Sequence, residues 1–206
     1  TKGKSSLLHP NTTLKHFELA TGTKLNRDKC QGLWIGKDHQ KTTAPLNFVW
    51  REPKLNTLGI TFNKDGRDQL QDNWTPIFQK MTETIHKWKR HNLSLKGKTT
   101  VLNTLVMSKL WHTAQVLRLP DEHTLKVLNN TIYDYIWNNA KTRINKKQLQ
   151  QPKIEGGLGL IDIETKAKSL QARWAAKILS NSETAPWTDT ANYYLNTDRD
   201  GRQAKH

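Results

Sequence analysis

Cysteine is almost absent from this chain: Cys30 is the only one in 206 residues. An internal disulfide is therefore impossible, thiolate metal sites fail on count, and the composition fits a reducing, intracellular compartment. We read Cys30 as a small half-buried thiol. Long apolar runs are missing as well. No stretch approaches the ~20 residues of a membrane span, and no signal peptide opens the chain. Acidic residues are scarce, with 18 Asp and Glu against 33 Lys and Arg, a formal net charge of +15. That excess favours a polyanionic partner, nucleic acid first and an anionic membrane surface second. Hydrophobic content is only 34%, yet there are 8 Trp. Large aromatics at helical spacing call for a packed core rather than disorder.

Catalytic patterns are missing too. The 8 His residues include no pair spaced to put two ligands on one helix face, and His86 and His91 lie five apart across a helix end. No Gly-x-Ser-x-Gly occurs. A two-metal polymerase site needs paired aspartates at a tight turn between strands. Here Asp198 and Asp200 sit in a polar tail, and Asp65, Asp68 and Asp72 flank a turn. A complete active site is not expected in this chain, nor a metal or other cofactor bound by it.

What is present is organised around residues 88–119. From Thr84 through Pro120 there is no acidic residue, while Lys87, Lys89, Arg90, Lys96, Lys98, Lys109 and Arg118 are positive. Ser94 is a suitable N-cap. Lys96 and Lys98 then fall in a first helical turn, where the macrodipole disfavours cations. A helix start with free N–H groups and two lysines suits phosphate. The plainer alternative is a solvated helix corner.

The rest reads as α+β, mainly α-helical. Residues 1–12 are polar and expected to be loose. Thr13–Thr21 is a short helix with Leu14, Phe17 and either Leu19 or Ala20 inward, ended by Gly22. A strand follows near Gln31–Ile35, then a loop at His39–Pro45. A hairpin is expected between Phe48–Trp50 and Thr57–Phe62, with Glu52-Pro53 and Asn56 between them and Gly59 inside the second strand. Asn63 to Gly66 is a turn. Thr75 and Pro76 open a helix with a stripe of Trp74, Ile77, Phe78, Met81, Ile85 and Trp88. A second helix, Leu95 to Leu117, buries Leu102, Leu105, Val106, the stem of Lys109, Leu110 and Ala114. Asp121 and Glu122 open a third, with Leu125, Leu128, Ile132, Tyr135 and Ile136 inward. Residues 138–153 are a basic linker or strand pair. Gly156 to Leu160 (GGLGL) is a glycine turn, not a phosphate loop, since no Lys-Ser/Thr follows. Asp162–Glu164 introduce a fourth helix carrying Ala167, Leu170, Trp174, Ile178 and Leu179, with Asn181 at its end.

Several motifs stand in a telling order: FELATGTKLNRDKCQGLWIG, LNTLGITF, WKRHNLSLKGK, then P-x-x-x-GGLGL with LQARW after it. In that order they resemble the reverse transcriptases of non-LTR (long interspersed) retrotransposons, over roughly Leu14 to Trp187. The resemblance starts after the family's catalytic Tyr-Ala-Asp-Asp-type turn. It implies a palm-edge segment at 1–66 with a primer-grip hairpin, a helical thumb at 67–137 and a connector at 138–206. It implies that Lys29, and after it Lys24, assist nucleotide chemistry, and that Leu58, Gly59 and Ile60 hold the primer end. By the same resemblance Lys96 and Lys98, with Lys87, Lys89 and Arg90 beside them, contact phosphates of an RNA–DNA hybrid or DNA duplex. The family's metal-binding aspartates, fingers and endonuclease are missing, and Thr21-Gly22-Thr23 replaces the usual Ser-Gly-Leu. The implied parent is an RNA-directed DNA polymerase using Mg2+, with the nucleus as its place of work. This chain, which opens on Thr1 rather than Met, is read as an inactive piece of it whose partners are nucleic acid and the remainder of the polymerase. The competing readings are a stand-alone basic helical nucleic-acid-binding or interaction module, and, more weakly, a basic helix on an acidic protein or membrane surface.

Overall fold

The computed structural model describes residues 2–35, 48–64, 69–138, 140, 144–180, 187–188 and 191–192. The fold is α+β and mainly helical, with short strands on the N-terminal side. The chain divides into two compact units, Thr1–Asn73 and Trp74–His206.

In the first unit, helix α1 runs Lys2–Thr21. It begins eleven residues before the expected Thr13, where a loose segment is expected, and runs through Gly3 and Pro10. Gly22 ends it in the left-handed region at φ 68, its N–H donating to Glu18 O at 2.9 Å. Phe17, expected inward, is 58% exposed. A 3-10 turn at Arg27–Lys29 is capped by the Asn26 side chain. Strand β1, Gln31–Gly32, pairs in parallel with β2, Val49–Trp50. A Cβ on Gly32 would sit 3.0 Å from the Trp50 indole, which itself stacks on Trp34 at 4.7 Å.

The hairpin differs from expectation. Strand β3, Lys54–Thr57, pairs antiparallel with β4, Ile60–Asn63, so Val49–Trp50 is not its partner. Gly59 lies in the turn rather than inside a strand. The two-residue connection has φ 50 at Leu58 and 77 at Gly59. Positive φ at both central positions gives the primed turn whose twist matches the strands it joins. The hairpin is tied to helix α2, Gln69–Lys89. Asn73 accepts from Thr61 N (2.8 Å) and donates to Thr61 O (2.8 Å), while Asp72 accepts from Lys54 and Asn63. Helix α2 therefore starts six residues before Thr75, and Pro76 lies inside it with no N–H to offer the carbonyl four residues back. The loop at His39–Pro45 and most of the turn after Asn63 lie outside the described residues.

The second unit holds the larger core. Trp74, Met81 and Ile85 of α2 are buried, and the Trp74 indole donates to Arg118 O at 3.1 Å. The expected long second helix is α3 (Leu95–Val101), a π turn (Leu102–Val106) and α4 (Ser108–Val116). The π turn inserts one residue and shifts the buried face. Leu102, Val106, Leu110 and Ala114 are buried as expected, but Leu105 rotates outward and Met107 takes an inward place. Helix α5, Glu122–Trp137, is capped by Asp121 and buries all five expected stripe residues.

Residues 138–153 hold no strand among the described residues. A short helix α6, Lys146–Gln150, and a 3-10 turn at Lys153–Glu155 lead into the glycine segment. A Cβ on Gly157 would lie 2.1 Å from Gln151 O, so only glycine fits that close approach. Asp162 then caps helix α7, Ile163–Leu179. Burial alone would raise the Asp162 pKa, but bonds from the Thr165 backbone and hydroxyl, Gln150 and the charge of Lys146 hold it below the usual carboxylate range. Asn181 lies outside the described residues.

Candidate nucleic-acid interface

The last turn of α2 carries His86, Lys87 and Lys89, and Arg90 and His91 follow it. Cations suit a helix C-terminus, whose free carbonyls present partial negative charge. Lys96, by contrast, stands in the first turn of α3, where the field opposes it. Between them the chain turns through His91 N to Trp88 O (3.1 Å) and Leu93 N to His91 O (2.9 Å), with the His91 ring 5.1 Å from the Trp88 indole. Ser94 caps α3, its Oγ accepting from Gly97 N at 3.2 Å. Lys87, Lys89, Arg90 and Lys96 are all exposed on this corner.

Lys98 is placed differently. It is 6% exposed, and its Nζ donates to Ile136 O (2.9 Å) and Asn138 Oδ1 (2.7 Å), lying 5.6 Å from the Tyr135 ring centroid. Residues two apart on a helix point to different sides. Lys96 and Lys98 therefore cannot share a face, and Lys98 falls on the stripe with Val101 and Leu102, both buried. Its ammonium satisfies a carbonyl at the α5 C-terminus that has no helical donor. Burial, and then the positive charge of Lys89, pushes its pKa below the ordinary lysine value. So Lys98 lies behind the corner and pins it to α5, while Lys89 approaches from the outside.

Asn138, missed from sequence, is the other half of this arrangement. It ends α5 in the left-handed region at φ 52, which Asn tolerates better than most residues. The available signal was an Asn directly after an apolar helical stripe. Two further polar residues on helix faces act in the same way. Asn103, in the π turn, donates to Gly159 O (2.8 Å) and accepts from Ile161 N (3.1 Å), docking the glycine segment as a neighbouring strand would. Gln171 donates to Ala114 O and Leu117 O, both at 3.1 Å, and so closes the end of α4. A polar side chain on an apolar stripe needs such a partner, which was the signal for both.

The remaining candidate residues belong to the first unit. Lys29 is in the 3-10 turn and Lys24 lies just after Gly22; both are exposed. Leu58 and Gly59 form the hairpin tip, Leu58 being 88% exposed, and Ile60 beside them is buried. Among the described residues no group of three or more His, Cys, Asp or Glu is gathered so as to hold a metal ion. No helix among the described residues is long and apolar enough to cross a membrane.

No known protein-family model matches the chain. It is similar to the transposon TX1 uncharacterized 149 kDa protein of Xenopus laevis, 20% identical over 182 residues. The likeness is to a transposon protein. It covers 86% of this chain and 14% of that protein's length, so the chain spans about one seventh of the relative it matches.

Proposed function

We propose that this chain is the palm edge, thumb and connector of a retrotransposon RNA-directed DNA polymerase, and that it grips template–primer duplex through backbone phosphates. The observation that carries the grip is the exposed corner of Lys87, Lys89, Arg90 and Lys96, in a stretch with no acid from Thr84 to Pro120. Phosphate contacts position a duplex without reading its sequence. Lys98 is a positioning residue in this reading: it anchors the corner to α5 and leaves contact to its neighbours. The transposon likeness supports the ancestry. The whole enzyme's magnesium ions would be held by aspartates of the parent outside this segment, and its work would be nuclear. The chain by itself is then a grip and not a catalyst.

The test is binding to a short RNA–DNA hybrid across a salt series. We expect log affinity to fall linearly with log salt, with little preference for base sequence. The double variant Lys89→Ala/Lys96→Ala should bind more weakly and lower the salt slope by about one per lost contact. A folded chain that fails to bind at low salt would reduce the corner to a solvated surface.

The second reading, a stand-alone module derived from such an element, is favoured by the closed core of Trp74–His206. An in-frame aspartate pair in the upstream coding sequence supports the polymerase segment, whereas stop codons there support the module.

A further inference from the structure

Helix α7 outruns the helix it packs on. Asn103, just before α4, is level with Gly159 and Ile161 at the start of α7, and Ala114 and Leu117 at the end of α4 are level with Gln171. The two helices thus run in the same direction, and the last two turns of α7 extend past Leu117. Trp174 stands there on the core-facing stripe, seven residues after buried Ala167, yet it is 44% exposed. Its ring makes a T-shaped contact with Trp187 at 6.0 Å, and Lys177 Nζ lies over one face, 5.7 Å from its centroid, so the platform is the opposite face. Lys166, Arg173 and Lys177 recur at seven- and four-residue steps and so line the side next to it. From Thr165 to Ser180 there is no acidic residue.

We infer that this overhang is a second nucleic-acid contact, a stacking platform for single-stranded RNA or DNA. An oriented indole offers a π face to any base, and a flanking cation row follows the backbone. An acidic protein could match the charge, but it would leave the indole face without the flat partner its setting favours. The inference shares a ligand class with the proposed duplex grip and none of its residues, so each can fail alone.

The experiment titrates the 206-residue chain with labelled oligouridylate and oligothymidylate of about a dozen nucleotides, within the range such sites occupy. An abasic strand of equal length and charge is the control. Trp174→Ala should weaken single-strand binding about tenfold, the scale of one lost stack, and Trp174→Phe should restore most of it. The abasic strand should bind the unaltered chain about as weakly as oligouridylate binds Trp174→Ala. Duplex binding through Lys89 and Lys96 should survive in Trp174→Ala, which also reports that it folds. If it does not fold, the abasic comparison on the unaltered chain decides. Equal binding of abasic and base-bearing strands, or an unchanged affinity in folded Trp174→Ala, overturns the inference and leaves the overhang to charge alone or to a protein partner. Loss of single-strand binding in Trp174→Ala, with duplex binding intact in Lys89→Ala/Lys96→Ala, would instead remove the corner grip and keep the platform.

Discussion

At the residue scale, the two lysines of the α3 start show how position decides role. Replacing Lys98 with Met keeps much of the bulk but removes the donor, leaving Ile136 O unpaired in a buried place and taking away the bond to Asn138 Oδ1 on the exposed side. A loss of about 2 kcal/mol is expected by urea unfolding. Lys96→Met, on the exposed side, should stay within about 0.5 kcal/mol and yet reduce duplex affinity. A stable Lys98→Met protein would show that the anchor contributes nothing. Leu58 makes the opposite case. A leucine at φ 50 is strained, and it is almost fully exposed, so packing does not compensate. Leu58→Asn creates the Asn-Gly pair that primed turns prefer. It should stabilise the first unit by about 1 kcal/mol, read as slower amide exchange in β3 and β4.

At the element scale, small polar clips hold the pieces together. The hairpin rests on the first turn of α2 through Asp72 and Asn73. Asp72 has its pKa lowered by the bond from Lys54 first and that from Asn63 second. A carboxylate with a depressed folded pKa contributes stability above its ordinary value of 3.8. That contribution fades as pH falls through the lower folded value. The hairpin amides should therefore lose exchange protection only below about pH 4, and Asp72→Asn should remove that acid transition while lowering protection at neutral pH. Lys54 is half exposed, so the effect is modest. Elements with strong local patterns were legible beforehand. The α5 stripe was read correctly because its five apolar residues repeat at helical steps behind an Asp cap. The hairpin register was misread because Leu58-Gly59 lacks the usual turn residues at its first position. The outward rotation of Leu105 was unreadable, since a π turn leaves no mark in the apolar pattern.

At the scale of the whole molecule, an excess of +15 acts on every part. Like charges repel in the compact state, and salt screens them over a Debye length of about 8–10 Å near physiological ionic strength. The thermal midpoint should rise as salt is raised from about 50 mM to about 150 mM, while duplex affinity falls over the same range. A midpoint that drops with salt would mean that specific ion pairs outweigh the general repulsion. Opposite signs for stability and binding separate a charged surface built for a partner from one that merely keeps the chain soluble.

Sequence by itself determined the helical, strongly basic character of this protein, the caps at Ser94, Asp121 and Asp162, and most of the residues that form its core. All of these depend on neighbours within a turn or two, and helical period makes such relations visible in one dimension. Tertiary structure decided which lysine is buried, which tryptophan is left in solvent and what the glycine segment rests on. Those outcomes depend on partners far along the chain: Lys98 meets Ile136 across 38 positions, Asn103 meets Gly159 across 56, and Gln171 meets Ala114 across 57. Such pairings arise when helices of particular length meet, and Trp174 is exposed for the same reason, because α7 continues where α4 has stopped.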